Sequence, residues 1–264
     1  FGKEFAKFGV ETSFVSQTDL AEWRAALRPS TRLLFAETPT NPLTEVCDIA
    51  ALADIAHAHG ALLTVDNTFC SPALQRPLAL GADLVMHAGT KFLDGQGRVM
   101  AGSLCGANEL IVDVTGPTLR TAGMTLAPFN AWVVLKGLET LALRMKAQSE
   151  AALQVARWLE AHPAVSRVYF PALASHPQHA LAMAQQSGLG GAVVAEHLRR
   201  KQAGARFGAH AQIHERHRER GVVARIDQIA MEQQRRAHAD RRAANGCEHR
   251  LGERDGLGVA ERGE

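Results

Sequence analysis

The chain has 264 residues, of which 46% are hydrophobic and 21% are charged, and its formal net charge is +2. A chain of this length buries roughly 70–75% of the surface that its unfolded form exposes, which is enough for a substantial core in one or two domains. It contains no run of apolar residues long enough to span a bilayer. These properties exclude a membrane-spanning protein and favour a globular one.

Cysteine usage and the first residues bear on the cellular compartment. The four cysteines (Cys47, Cys70, Cys105 and Cys247) are scattered and show neither disulfide-framework nor metal-binding spacing. The first residue is Phe1 rather than Met, and neither a basic segment nor an apolar leader follows it. We therefore expect no signal peptide, a cytoplasmic location, and a chain that begins inside a longer protein.

Residues 13–194 alternate between short apolar runs and helical periodicity, which indicates an α/β protein. Apolar runs predict buried strands over 32–36, 61–65 and 83–86. Between the first two strands, Asp48 caps a helix that Gly60 ends, and a further short segment over 74–80 ends at a glycine. The order strand, helix, strand with short connections implies parallel pairing.

The second half of the ordered pattern is richer in helix. It predicts a long amphipathic stretch over 128–162 with a break near Gly137, a strand over 165–170, a helix over 177–186 and a strand beginning over 188–194. We therefore predict four parts. They are a partial large domain (1–127), a connecting helical stretch (128–162), the beginning of a smaller α/β domain (163–194) and a basic tail (195–264).

The predicted tail differs in composition from the rest of the chain. Residues 1–194 carry 14 basic and 16 acidic side chains, whereas residues 195–264 carry 15 basic and 11 acidic ones with few large apolar residues. Three interpretations are open: a nucleic-acid-binding arm, a solvated helix over 225–242, and sequence foreign to the fold, such as an out-of-frame translation. Interleaved acids argue against the first. A segment rich in arginine, alanine, glycine and histidine, without periodicity, is typical of the third, which we favour.

Three polar side chains follow the predicted strands at the points where the strands end. Asn41 comes after the first strand, Asp66 ends the second, and Lys91 lies just past the third. Since ligands bind beyond the carboxyl ends of strands in open parallel sheets, we expect these groups to converge at one edge. Pyridoxal phosphate uses such a set, with an amine for a Schiff base and an anion for its pyridine nitrogen. The spacing leaves open that Asp66 is a helix cap and Lys91 a solvent-facing lysine.

Five motifs add a more specific signal: Glu37-Thr-Pro-Thr-Asn-Pro42, Val65-Asp-Asn-Thr-Phe69, Ser71-Pro-Ala-Leu-Gln75, Gly81-Ala-Asp83 and His87-Ala-Gly-Thr-Lys91. In order and spacing over residues 1–194, the chain resembles the Cys/Met-metabolism family of pyridoxal-phosphate enzymes. The resemblance implies a fold type I, aspartate-aminotransferase-like large domain with a mainly parallel sheet, followed by the start of a truncated small α/β domain.

The resemblance also implies roles for individual residues. Lys91 would form the Schiff base with pyridoxal 5'-phosphate and later move protons, and Asp66 would pair with the pyridine nitrogen. Asn41 would bond the 3-oxygen of the cofactor, and Thr90 would donate to its phosphate. One position departs from the family pattern, because Ala88 stands where the family usually has a phosphate-binding serine. The loss of that charge-assisted hydrogen bond costs roughly 1.5–3 kcal/mol of cofactor affinity.

Three further motifs bear on the reaction: Phe92-Leu-Asp-Gly-Gln-Gly-Arg98, Leu119-Arg-Thr-Ala-Gly123 and Pro128-Phe-Asn-Ala-Trp132. They most resemble family members that make homocysteine from O-succinylhomoserine and sulfide by γ-replacement, a step of methionine biosynthesis. Cystathionine γ-synthase and γ-lyase activities, and a catalytically inert truncated product, remain as alternatives. The family also implies a homodimer or homotetramer at full length, with small-molecule substrates and neither nucleic-acid nor membrane partners.

Several segments that the family uses have no counterpart here. The family places a glycine-containing phosphate loop, a ring-stacking tyrosine and a Tyr/Arg pair before the segment that begins at Phe1, and its substrate-binding arginine beyond Val194. We therefore interpret the chain as a fragment. We also expect no metal site, because His57 and His59 are two residues apart at a helix end and do not share a face.

Overall fold

The computed structural model describes residues 1–188, Gly190 and the backbone of residues 194–197. Within this part of the chain the helices are α1 (Leu20–Ala25), α2 (Ile49–Ala58), α3 (Ser71–Leu74), α4 (Gly116–Ala122), α5 (Pro128–Leu138), α6 (Leu141–Glu160) and α7 (His179–Gln185). The strands are β1 (Leu33–Glu37), β2 (Leu62–Asp66), β3 (Leu84–Ala88), β4 (Gly102–Gly106), β5 (Val165–Tyr169) and β6 (Val194–His197). Short helical turns cover Phe5–Phe8, Pro77–Leu80, Gly89–Leu93 and Glu109–Thr115.

The main sheet has the order β1-β2-β3-β4. Strands β1, β2 and β3 are parallel, as the sequence pattern predicts, and β4 is antiparallel to β3. The carboxyl ends of the three parallel strands, at Glu37, Asp66 and Ala88, therefore lie at one edge of the sheet. This arrangement confirms an α/β fold with a mainly parallel sheet.

The core under the sheet comes from α2. Asp48 caps the N-terminus of this helix, because its carboxylate accepts a hydrogen bond from the Ala51 backbone N–H at 2.9 Å. The buried face of α2 packs against inward-facing residues of the strands, with Trp23 of α1 at the margin; the set comprises Ile49, Leu52, Ala53, Ile55, Ala56, Leu34, Ala36, Leu63, Val65 and Val85. Full burial of one large aliphatic side chain contributes about 1.5–3 kcal/mol to folding stability. The many buried side chains of this layer therefore fix the positions of the strand ends.

The helical half agrees with the predicted break near Gly137. Helix α5 ends at Leu138 and α6 begins at Leu141, and α6 then runs to Glu160. Strand β5 follows and pairs antiparallel with β6. The end of α7 lies against α3, because the Ser187 N–H donates to the Leu74 carbonyl at 2.8 Å.

Two parts of the sequence pattern gave an incomplete prediction. Strand β4 and the helical segments over 109–122 have no counterpart among the predicted elements. The last predicted strand, over 188–194, is found at Val194–His197, three residues past the boundary set for the tail. Residues 198–264, which hold the rest of the predicted basic tail, lie outside the described residues.

Two absences can be stated for the described part of the chain. None of its helices is long and apolar enough to cross a membrane. It also brings together no cluster of three or more histidine, cysteine or acidic side chains that could hold a metal ion.

Candidate functional site

Backbone hydrogen bonds tie the ends of the three parallel strands together. The Thr38 N–H donates to the Asp66 carbonyl at 3.2 Å, and the Asn67 N–H donates to the Met86 carbonyl at 2.9 Å. The segments that carry Asn41, Asp66 and Lys91 therefore leave one sheet edge side by side. The parallel strand order thus places the three segments as expected, and the roles of the three side chains stay predictions.

Asp66 is half-buried, and Thr68 holds its carboxylate in place. Its Oδ1 accepts a hydrogen bond from the Thr68 N–H at 2.9 Å. The Thr68 hydroxyl in turn accepts one from the Ala88 N–H at 2.8 Å. Thr68 therefore connects the end of β2 to the end of β3, a role that the sequence reasoning missed.

Asn41 lies in a compact turn after β1. The Thr40 N–H donates to the Glu45 carbonyl, and the Glu45 N–H donates back to the Thr40 hydroxyl, both at 3.0 Å. The peptide bonds before Pro39 and Pro42 are cis. Asn41 itself is exposed, and it lies four residues after the end of β1.

Glu37 is a second carboxylate at this edge that the sequence reasoning missed. It faces Asp66 in the register of β1 and β2. Burial and the neighbouring Asp66 charge raise the pKa of Glu37 above its ordinary value, although a hydrogen bond with the Asn41 backbone opposes the shift. Among the described residues no salt bridge involves either carboxylate. The pair therefore suits a cationic group of a ligand.

Lys91 lies in the helical turn Gly89–Leu93, directly after β3. Its own backbone is non-helical (φ −98°, ψ −118°), so the chain kinks at this residue. The Gly89 N–H donates to the Ala101 carbonyl at 2.8 Å. A Cβ at Gly89 would lie 2.7 Å from the Cβ of Ala101, so the turn packs closely on the start of β4. Thr90 and Lys91 are both half-buried at this edge.

A buried network of amides lies under the strand ends. The Gln75 Nε2 donates to the Thr38 carbonyl at 3.1 Å and to the Asn67 Oδ1 at 2.9 Å. Its Oε1 accepts from the Gln186 Nε2 at 2.8 Å, and Gln185 donates to the Cys47 carbonyl at 3.0 Å. Gln75 therefore joins the segments after β1 and β2 to the end of α7.

His87 and two cysteines are buried nearby. Desolvation lowers the pKa of His87, although the Asp66 charge and a hydrogen bond with the Asn67 backbone oppose the shift. The pKa of Cys47 is raised to about 12, chiefly by burial, and burial also raises the pKa of Cys70. Because only a thiolate is a good nucleophile, neither buried thiol is a candidate catalytic group.

The donor set at the sheet edge fits pyridoxal phosphate. The Asp66 carboxylate, with Glu37 beside it and no basic side chain of the described residues paired to either, could provide the anion that a protonated pyridine nitrogen requires. Lys91 provides an amine at the same edge, and Thr90 provides a hydroxyl next to it. The residues present could therefore hold this cofactor, with Ala88 contributing no side-chain hydrogen bond.

The fold and this edge define an α/β protein with an amine–carboxylate site suited to pyridoxal phosphate. Residues 1–251 match the family model described as Cys/Met metabolism PLP-dependent enzyme. The chain belongs to this family of pyridoxal-phosphate enzymes.

Similar proteins include sulfhydrylases and cystathionine enzymes. The O-succinylhomoserine sulfhydrylase of Pseudomonas aeruginosa is 58% identical over 193 residues, which are 73% of this chain and 48% of that protein. The O-succinylhomoserine sulfhydrylase of Mycobacterium tuberculosis (strain H37Rv) is 46% identical over 188 residues, which are 71% of this chain and 46% of that protein. A crystal structure of cystathionine gamma-lyase from Lactobacillus plantarum complexed with L-serine matches with a TM-score of 0.73 at 37% identity, covering 74% of this chain and 51% of that one.

Two further facts follow from these matches. The chain spans about half the length of the curated relatives that it matches. Relatives named as cystathionine gamma-synthase or gamma-lyase also match, at 40–43% identity. The chain therefore belongs to a pyridoxal-phosphate family whose named members differ in their reactions. The interpretation of residues 195–264 as foreign sequence stays a prediction, and the family match extends to residue 251.

Proposed function

We propose that this chain carries catalytic residues of an O-succinylhomoserine sulfhydrylase, which makes homocysteine from O-succinylhomoserine and sulfide. The observation that carries the proposal is the 58% identity to a protein of that name over 193 residues. In the net reaction the bond between the substrate γ-carbon and its ester oxygen breaks, and succinate leaves with the electron pair. The γ-carbon then bonds to sulfur, so hydrosulfide and the ester give homocysteine and succinate.

The residues at the sheet edge divide the work. When bound, pyridoxal phosphate supplies an electron sink that stabilises negative charge at the substrate α-carbon. The Lys91 Nζ would hold the cofactor covalently, and the same amine would then take the proton from the substrate α-carbon and return one to the product. The Asp66 carboxylate would keep the ring nitrogen protonated. Asn41 would donate to the 3-oxygen, and Thr90 would donate to the phosphate.

The organisation of the longer protein belongs to the same proposal. Residues 1–127 form part of the cofactor-binding domain, residues 128–162 connect, and residues 163–194 begin a smaller domain. A homodimer or homotetramer in the cytoplasm is the proposed assembly. It is supported by Phe129, Trp132 and Leu135 on α5, which are 67%, 55% and 60% exposed although they are large and apolar. Light scattering on the purified protein tests this, because a monomer at micromolar concentration would contradict it.

The reaction is tested by product analysis. The protein is incubated with pyridoxal phosphate, O-succinylhomoserine and sulfide, and homocysteine and succinate are measured by mass spectrometry. We expect the two products in equal amounts, and none from the variant Lys91→Ala. Formation of cystathionine when cysteine replaces sulfide, with no homocysteine from sulfide, would favour a cystathionine γ-synthase instead.

Two further outcomes separate the remaining alternatives. Breakdown of cystathionine without turnover of O-succinylhomoserine would favour a γ-lyase. Failure to take up the cofactor at all, measured by its absorbance after gel filtration, would favour a catalytically inert product.

A further inference from the structure

The loop after Lys91 is held by an ion pair between the buried Asp94 and the exposed Arg98. The Asp94 carboxylate accepts hydrogen bonds from the Arg98 N–H at 2.6 Å and from the Arg98 Nε at 2.7 Å. Burial alone would raise the pKa of Asp94, but the hydrogen bonds and charge of Arg98 hold it below its ordinary value. Asp94 is therefore ionised, and it closes the loop 94–98 on itself.

This loop is connected directly to the turn that contains Lys91. The Gly95 N–H donates to the Lys91 carbonyl at 2.8 Å, and the Asp94 N–H donates to the Gly89 carbonyl at 3.1 Å. These two hydrogen bonds close the turn Gly89–Leu93 at its carboxyl end. A displacement of Asp94 or Gly95 therefore moves the backbone of Lys91.

Arg144, in the first turn of α6, packs against the loop 94–98 at Gly95. Its Nη2 donates to the Gly137 carbonyl at 2.7 Å, and its Nε donates to the Thr140 hydroxyl at 3.0 Å. Its Nη1 is buried and would lie 2.3 Å from a Cβ at Gly95. Gly95 also has a positive φ of 76°, a backbone conformation that favours glycine.

The same junction packs against the turn through Gly137. A Cβ on Gly137 would lie 2.2 Å from the Leu93 carbonyl oxygen and 2.8 Å from that of Asp94. The junction of α5 and α6 therefore touches the lysine turn by backbone contact at Gly137 and by the guanidinium at Gly95. Arg144 takes part in both contacts, because it donates a hydrogen bond to the Gly137 carbonyl and its guanidinium packs against Gly95.

We propose that Arg144 is a positioning residue that fixes the backbone of Lys91 from the α5–α6 junction. The inference rests on the role assigned to Lys91 in the proposed function. Arg144 acts through Gly95 and Gly137 and does not itself enter the reaction. A lysine in its place could reach the Gly137 carbonyl but could not also cover Gly95, because its ammonium is a compact point charge rather than a planar fork.

The first test needs no cofactor. Amide hydrogen exchange is followed by NMR or mass spectrometry in the chain and in the variants Arg144→Met, Arg144→Lys and Arg157→Met, the last an exposed arginine on the same helix. We expect Arg144→Met to speed exchange at Asp94 and Gly95 about tenfold, because the free energy of local opening is lower. We expect a smaller increase in Arg144→Lys, and no change in β2 in any variant.

The outcomes decide the proposal in either direction. Equal exchange at Asp94 and Gly95 in Arg144→Met and Arg157→Met would overturn the proposal. A uniform increase in exchange that includes β2 would also overturn it, because it would indicate a merely structural role. If Arg144→Met does not fold, Arg144→Lys decides by the same two amides.

A second readout links the exchange result to the cofactor. At subsaturating pyridoxal phosphate, we expect less borohydride-trapped label on Lys91 in Arg144→Met than in the unsubstituted chain, and equal labelling at saturation. Equal labelling at both concentrations would contradict a positioning role toward the cofactor. Absence of label in the unsubstituted chain would instead count against the proposed function, while the exchange result would still stand.

Discussion

Glu37 and Asp66 face each other across the parallel strands β1 and β2, so two carboxylates lie side by side at the edge of the sheet that carries Lys91. In the protein without cofactor this is an unfavourable arrangement, since like charges repel and burial removes part of their hydration. The pair is explained if the edge binds a group that carries positive charge.

The substitution Glu37→Gln should stabilise the cofactor-free protein at neutral pH. Burial and Asp66 raise the pKa of Glu37 in the folded state above its ordinary value. Between that value and the raised pKa the folded state binds more protons than the unfolded state, so stability falls as pH rises. We expect the gain from Glu37→Gln to be largest at neutral pH and to disappear below about pH 4.

Urea unfolding at a series of pH values measures this difference. The exposed Glu150 on α6 provides the control, and Glu150→Gln should change the free energy of unfolding by no more than about 0.5 kcal/mol. A benefit of Glu37→Gln that grows as the pH falls would contradict the assignment.

The substitution Gln75→Leu should destabilise the protein by about 2–4 kcal/mol, because it leaves several buried polar groups without partners. These are the Asn67 Oδ1, the Thr38 carbonyl and the Gln186 amide, which bond the Gln75 side chain. Urea unfolding checks the value. The exposed Gln154 on α6 is the matched control, and an equal loss in Gln154→Leu would show that the network contributes nothing.

The substitution Gly137→Ala should also be destabilising, by about 1–3 kcal/mol or more, because the new methyl group meets the Leu93 carbonyl. The helical glycine Gly116 is the control, since a Cβ there would lie 3.4 Å from the Ile111 carbonyl. Gly116→Ala should be neutral or stabilising by up to about 1 kcal/mol, as alanine is the better helix former. Denaturant unfolding of both variants should separate them, and similar free energies would refute the close approach at Gly137.

The substitution Ala88→Ser should tighten cofactor binding. The new hydroxyl would stand where the family usually has a phosphate donor, and a hydrogen bond to a charged group contributes about 1.5–3 kcal/mol, roughly 10- to 150-fold in Kd. Titration with pyridoxal phosphate, followed by absorbance, gives the Kd of both proteins. Ala73→Ser, on the neighbouring helix α3, should leave the Kd unchanged. An unaltered Kd in Ala88→Ser would mean that Ala88 does not face the phosphate.

Much of the sheet could be predicted from the sequence, because its signals are local. The apolar run that ends at Asp66 marks β2. Asp48 marks the start of α2 as its capping residue, and Gly60 marks its end. Strand β4 could not be predicted in this way, because Gly102–Gly106 shows little apolar alternation and depends on pairing with β3.

The site divides along the same line. The positions of Asp66 and Lys91 follow from where strands end, which the sequence shows directly. Glu37 becomes significant only through the register of β1 against β2, and Arg144 only through its approach to Gly95. Both depend on contacts between distant parts of the chain, which neither composition nor periodicity reports.

Chemical trapping shows whether the cofactor is attached to Lys91. The protein is incubated with pyridoxal phosphate, reduced with borohydride, digested and analysed by mass spectrometry. We expect a reduced pyridoxyl group on the peptide that contains Lys91, no such label in Lys91→Ala, and little on the exposed Lys136. Label spread evenly over the lysines, or absent from Lys91, would contradict this attachment.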